Sequence, residues 1–131
     1  MTIRSTFAAI FFAGIFVFGS TVVSAQWRQL GSETVSGRGD TDTIRVGVLK
    51  GDFRRIKIAV SGGPVRFRRV VITYRNGETQ EVAMRSLIRD GGETRTINLS
   101  GRERVISKVD FWYDRVSFGR SRPRVTLYGR D

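Results

Sequence analysis

Apolar side chains recur at every second position in the middle of the chain: Ile56, Ile58 and Val60, then Val65 and Phe67, and, after a skip of one, Val70, Ile72 and Tyr74. A repeat of two puts one face of a β-strand into a core and does not fit the 3.6-residue stripe of a helix. Similar runs, bounded by Gly, Asn, Asp, Pro and Ser, occupy residues 27–35, 43–49, 53–61, 65–74, 78–84, 94–99, 105–113 and 124–128. Their number and spacing predict an all-β fold, a single antiparallel β-sandwich of about eight strands. Residues 115–122 read as a loop, ended by Pro123, which has no N–H to give to a ladder.

Parity sets the expected registers. A turn at Gly62-Gly63 brings Val60 opposite Val65 and Ile58 opposite Phe67, and a one-residue bulge at Arg68-Arg69 then sets Val70 against Ile56. At Asn76-Gly77 a two-residue turn would place Val82 against Val71 and reverse the buried face. A three-residue loop, Arg75-Asn76-Gly77 with glycine in the left-handed position, instead pairs Val70 with Val82 and keeps Met84 inward. In the run from Val105 to Tyr113, the set Val105, Ser107, Val109, Phe111 and Tyr113 reads as core. Trp112 then lies on the other side, either as an aromatic platform for a sugar or base or as a plug beneath a loop.

The first of these hairpins would project Arg55, Lys57, Arg66 and Arg68 together from its outer face, with Arg75 near the next turn. Such a ridge suits a polyanion, because guanidinium groups make bidentate, charge-assisted contacts. The same pattern also describes a solvated strand face whose like charges keep neighbouring molecules apart. Lysine occurs only at Lys50, Lys57 and Lys108. That bias toward arginine suits anion recognition, but the alternation of many arginines with apolar residues, as at solvent-facing strand positions, favours codon bias in a GC-rich genome.

Residues 1–25 have the composition of a secretory signal peptide: Arg4, an apolar run from Phe7 to Phe18, and Val23-Ser24-Ala25 before Gln26. The alternative is a retained anchor, but Ser20-Thr21 interrupt the apolar stretch before the ~20 residues that a span needs. Cleavage leaves one domain, residues 26–131, with no later membrane span and a periplasmic or secreted location. The whole chain carries 23 Lys and Arg against 12 Asp and Glu, a formal charge of +11, of which the leader holds only Arg4.

There is no cysteine and no histidine. Disulfides cannot compensate for a small core, and Cys or His nucleophiles, Ser-His-Asp triads and Cys/His zinc sites are excluded. Neither a cofactor nor a metal is expected. No spacing singles out two carboxylates for glycoside hydrolysis among Asp90, Glu103, Asp110 and Asp114. Arg38-Gly39-Asp40 spells an adhesion tripeptide, yet it is also ordinary turn chemistry, as is Asp40-Thr41-Asp42, which lacks the distal glutamate of a calcium loop. Asn98-Leu99-Ser100 is a glycosylation sequon relevant only to a eukaryotic secretory route.

Four segments carry a resemblance. They are Trp27-x-x-Leu30-Gly31, Phe53-x-x-Ile56-x-Ile58, the run Arg104-Val105-Ile106-Ser107-Lys108-Val109-x-Phe111-x-Tyr113, and Val125-x-Leu127-x-Gly129. Together they are similar to a family of small, exported, uncharacterised proteobacterial β-sandwich proteins. The resemblance implies a sandwich fold and an extracytoplasmic compartment, and it brings no activity. The expectation is therefore a non-enzymatic exported protein that binds anionic polysaccharide or lipopolysaccharide through its arginines, with physiological nucleic acid not expected as a partner. The competing expectation is a protein-binding module, an inhibitor or assembly factor for an acidic envelope protein. It would use an edge strand or the loops around Arg38 and 115–122.

Overall fold

Ten strands form within residues 26–36, 40–47, 50–114 and 122–131, the parts of the chain that the computed structural model describes. They are β1 (Arg28–Thr34), β2 (Thr41–Arg45), β3 (Asp52–Phe53), β4 (Arg55–Ser61), β5 (Val65–Tyr74), β6 (Thr79–Val82), β7 (Ser86–Ile88), β8 (Ile97–Asn98), β9 (Arg104–Tyr113) and β10 (Arg124–Arg130). Residues 1–25, on which the signal-peptide reading falls, lie outside the described residues, as do 37–39, 48–49 and 115–121. No α-helix occurs among the described residues.

The strands make two antiparallel sheets packed face to face, the sandwich that the alternation predicts. In the first, β5 and β9 lie side by side. The β2 and β3 strands share the far edge of β9, and β6 and β7 share the far edge of β5. The second sheet runs β1–β10–β4–β8. The count exceeds eight for two reasons. The run 53–61 breaks at Arg54, where the chain steps from the first sheet to the second and Arg54 N–H donates to the Arg130 carbonyl (2.9 Å). The short strand β7 also pairs with the start of β5.

The hairpin expected at Gly62-Gly63 does not form. Strand β4 pairs with β10 and β8, whereas β5 pairs with β9, β6 and β7, so Gly62-Gly63-Pro64 carries the chain between sheets. Both arrangements turn the same residues inward, and Ile56, Ile58, Val60, Val65, Phe67, Val70, Ile72 and Tyr74 are indeed all buried. Parity therefore identified the core without identifying the partner. The bulge falls where the skip placed it, but against β9: Trp112 lies opposite Arg69 and Tyr113 opposite Phe67, leaving Arg68 as the extra residue. The second hairpin adopts the expected three-residue loop, with Val70 opposite Val82, Tyr74 N–H donating to the Glu78 carbonyl (2.8 Å), and Gly77 at φ 94°.

A second irregularity corrects the expected core of β9. Ile106 pairs with Tyr74 and Lys108 with Thr73, so Ser107 is an extra residue and parity shifts across it. Ile106 is buried in place of Val105, while Val109, Phe111 and Tyr113 point inward as expected. Phe111 packs edge-on against Phe67 (ring centroids 5.8 Å apart) and beside Tyr113 (5.9 Å), a geometry that aromatic quadrupoles favour.

Contacts at both long sides tie the two sheets together. On one side Gly31 of β1 passes so close to β2 that a Cβ would stand 2.8 Å from the Arg45 carbonyl oxygen and 2.9 Å from Ile44 Cγ2. On the other, the Gln80 side chain donates to the Asn98 carbonyl (3.0 Å) and accepts from Ser100 N–H (2.7 Å), joining β6 to the β8 end of the second sheet. Arg104 secures the start of β9. Its guanidinium lies over the Tyr74 ring (3.8 Å) and donates to the Ser100 carbonyl (2.9 Å) and to the Glu78 carboxylate. The hydrogen bond from Arg104, then one with Asn76, then the Arg104 charge hold the Glu78 carboxyl below its ordinary value.

Two outcomes follow from these contacts. Gly31→Ala costs about 1–3 kcal/mol by overpacking against backbone, whereas Gly47→Ala, with nothing within 4 Å of its Cβ position among the described residues, stays within about 0.5 kcal/mol of the parent. Urea denaturation of the two variants separates them, and equal midpoints would refute the close approach. A carboxyl lowered in the folded state contributes stability that is complete above its unfolded value and is lost as the pH falls through its folded value. Glu78→Gln is accordingly less stable than the parent at neutral pH, and the difference closes in acid. A gap that stays constant across an acid titration of the midpoint contradicts this.

Candidate functional site

Much of the positive charge is already engaged inside the molecule. Arg104 is held by Glu78 and Tyr74. Arg124 donates to Ser32 and Thr34 hydroxyls (2.6 and 3.2 Å), and Lys108 faces Asp110 (3.7 Å). Lys57, one of the expected ridge residues, sits on the outer face of the second sheet, bonded to Glu93 (3.1 Å) and lying 4.5 Å from the Trp27 ring and 5.9 Å from that of Tyr128. Its side chain is only 16% exposed, so this charge is neutralised and largely screened from a ligand.

The remaining ridge residues are not neighbours. Arg55 belongs to the second sheet with Lys57, and Arg66 and Arg68 belong to the first, because β4 and β5 separate into different layers. Arg75 stands in the β5–β6 turn, at the end of β5 remote from Arg66. The contiguous ridge expected from a β4–β5 hairpin is thus divided. Each half joins arginines that the strand pattern did not connect to it.

On the first sheet, two grooves meet. One, of about 400 Å³, is lined by Arg68, Arg69, Glu81, Ala83 and Arg85. The other, of about 320 Å³, is lined by Arg66, Phe67, Arg68, Arg85 and Asp114. They share Arg68 and Arg85, so four guanidinium groups border one depression that contains two carboxylates. Its shape comes from the fold. The bulge turns Arg68 outward beside Arg66 and brings Arg69 to the outer side as well, and the gap between β6 and β7 leaves room for Arg85.

These four arginines differ in how firmly they are held. Arg69 is fixed, with its guanidinium 4.0 Å from the Trp112 ring centre and an Nη1 bond to Glu81 (3.1 Å). Trp112 therefore serves as the half-buried floor beneath Arg69 rather than as a bare aromatic platform. Arg66 and Arg68 are about half exposed and share Asp114 at 3.9 and 3.7 Å, beyond hydrogen-bonding distance. Exposed pairs of this kind contribute little, so an incoming anion can replace Asp114 at small cost. Arg85 has no hydrogen bond or ion pair among the described residues. Leu87, opposite Arg66, is the one large apolar side chain exposed among the described residues (43%).

Arg69 and Arg85 were not foreseen as site residues. The skip at Arg68-Arg69 was a usable signal for Arg69, since a bulge turns two successive side chains away from the core. Arg85 lies between strands and had no such signal. Among the described residues, no group of three or more Asp or Glu could hold a metal ion. The loops around Arg38 and 115–121 lie outside the described residues.

Neither a curated protein nor a solved structure matches this chain. The model of one family, a domain of unknown function termed DUF2541, matches residues 7–129, and the chain therefore belongs to the DUF2541 family.

Proposed function

We propose that this protein is a non-enzymatic binder of anionic cell-envelope material, acting outside the cytoplasm after loss of residues 1–25. One observation carries the reading: among the described residues, Arg66, Arg68, Arg69 and Arg85 line two grooves that share walls, against the two carboxylates Glu81 and Asp114. Arg69 provides a fixed guanidinium, and Arg66, Arg68 and Arg85 are free to reorganise around a phosphate, sulfate or carboxylate by bidentate contacts. Without Arg4 of the leader the formal charge of +11 becomes +10, which draws polyanions toward the molecule over a longer range, and the groove supplies the contact.

Retention on immobilised heparin or lipopolysaccharide should fall steeply between low and physiological salt, as expected for exposed charges. The triple variant Arg66→Ser, Arg68→Ser, Arg85→Ser should elute much earlier than a control with Arg45, Arg89 and Arg95 changed to Ser, which removes the same charge elsewhere. Equal elution of the two would reduce the groove to a contributor of net charge. A single protein captured stoichiometrically from envelope extract at physiological salt would favour the protein-binding alternative.

A further inference from the structure

A second arginine cluster lies at the other end of the sandwich, on the other sheet. One groove there, of about 300 Å³, is lined by Arg54, Arg55, Asn98, Leu99, Gly101 and Arg102. A second, of about 210 Å³, includes Arg28, Lys50 and Arg130 together with Asp52 and Asp131. The two grooves are linked by Arg55 and Arg130, which stand directly opposite each other in the β4–β10 ladder.

That pairing is unfavourable by itself, since like charges at facing positions of antiparallel strands repel. No Asp or Glu side chain forms an ion pair with either residue among the described residues, and Arg55 donates to the main-chain oxygen of Asp131 (2.9 Å). Arg130 Nε is buried without a hydrogen-bond partner among the described residues. Buried donors are rarely left unpaired, and an anion seated between Arg55 and Arg130 would relieve the repulsion and give Nε a partner once the Arg130 side chain turns toward it. Trp27, whose ring lies 4.9 Å from the Arg130 guanidinium, flanks the position.

The two clusters are well separated. Strand β4 runs from Arg55 at this end to Ser61 beside the start of β5, a length of ~20 Å at the rise of an extended strand, and the sheets themselves stand ~10 Å apart. Screening at physiological salt acts over ~8 Å. Each cluster therefore attracts its own ligand, and one flat surface cannot reach both. A flexible polymer can enter either groove.

We propose that the protein cross-links anionic polysaccharide, holding one chain in the Arg66/Arg68/Arg85 cluster and a second in the Arg54/Arg55/Arg130 cluster. The inference rests on the polyanion-binding reading above. Its test is energy transfer between two heparin populations, one carrying a donor dye and one an acceptor, mixed with the protein from Gln26 onward. Transfer should rise with protein, pass through a maximum and decline when excess protein saturates every chain separately. Binding is read in parallel by the anisotropy of a short labelled heparin fragment.

Changing Arg54, Arg55 and Arg130 to Ser, or Arg66, Arg68 and Arg85 to Ser, should each halve the fragment stoichiometry and abolish transfer. Circular dichroism verifies that both variants fold. Absence of fragment binding by the parent would remove the underlying polyanion reading. Fragment binding without transfer would leave that reading intact and overturn cross-linking, as would transfer that persists in either single-cluster variant.

Discussion

Between β5 and β9, one extra residue on each strand, Arg68 and Ser107, interrupts an otherwise regular antiparallel ladder. Each bulge shifts parity by one, so Phe67, Val70 and Ile72 all reach the interior from β5, and Ile106, Val109, Phe111 and Tyr113 from β9. The aromatic contacts at the centre of the core depend on that phase. The same bulge at Arg68 places Arg66, Arg68 and Arg69 around one groove. Core packing and surface charge are therefore coupled through a single local irregularity, as bulges beside binding sites commonly achieve.

Without disulfides, the two sheets are held by apolar burial and by contacts at their margins. Gly31 and Gly129 are positions where a side chain does not fit: a Cβ on Gly129 would stand 2.9 Å from Leu30 Cδ1 and 3.0 Å from Phe53. Both glycines end motifs that carry the family resemblance, Trp27-x-x-Leu30-Gly31 and Val125-x-Leu127-x-Gly129. Their presence there has a packing explanation and needs no catalytic one. Gln80 on the opposite side uses one amide to reach both Asn98 and Ser100, and Tyr74 also donates to it.

Arginine serves two different ends in this molecule. Arg104, Arg124 and Arg69 act as structural cross-braces, each satisfied by aromatic, hydroxyl or carboxylate partners. Arg66, Arg68, Arg85, Arg55 and Arg130 have weak ion pairs or none among the described residues and line depressions, the first three beside the braced Arg69. Net charge describes the sum of both groups and distinguishes neither. The division between them is what gives the polyanion reading a location.

The period of two, the skip at Arg68-Arg69 and the Asn76-Gly77 loop were enough to identify an all-β chain, its inward residues from Ile56 to Tyr74, one bulge and one hairpin register. These are local consequences of strand geometry, since each side chain's face is set by its neighbours along the chain. Pairing partners were not local. Ile56-Ile58-Val60 and Val65-Phe67 face the same core whether β4 and β5 form a hairpin or lie in opposite sheets, so alternation carries no information that separates the two. Only the tertiary structure placed Arg55 and Lys57 on one face and Arg66 and Arg68 on the other, gathered Arg85 and Arg130 to them from distant segments, and turned one expected ridge into two clusters. Long-range pairing decided this, because it depends on which sheet edge each strand can satisfy rather than on the strand's own pattern.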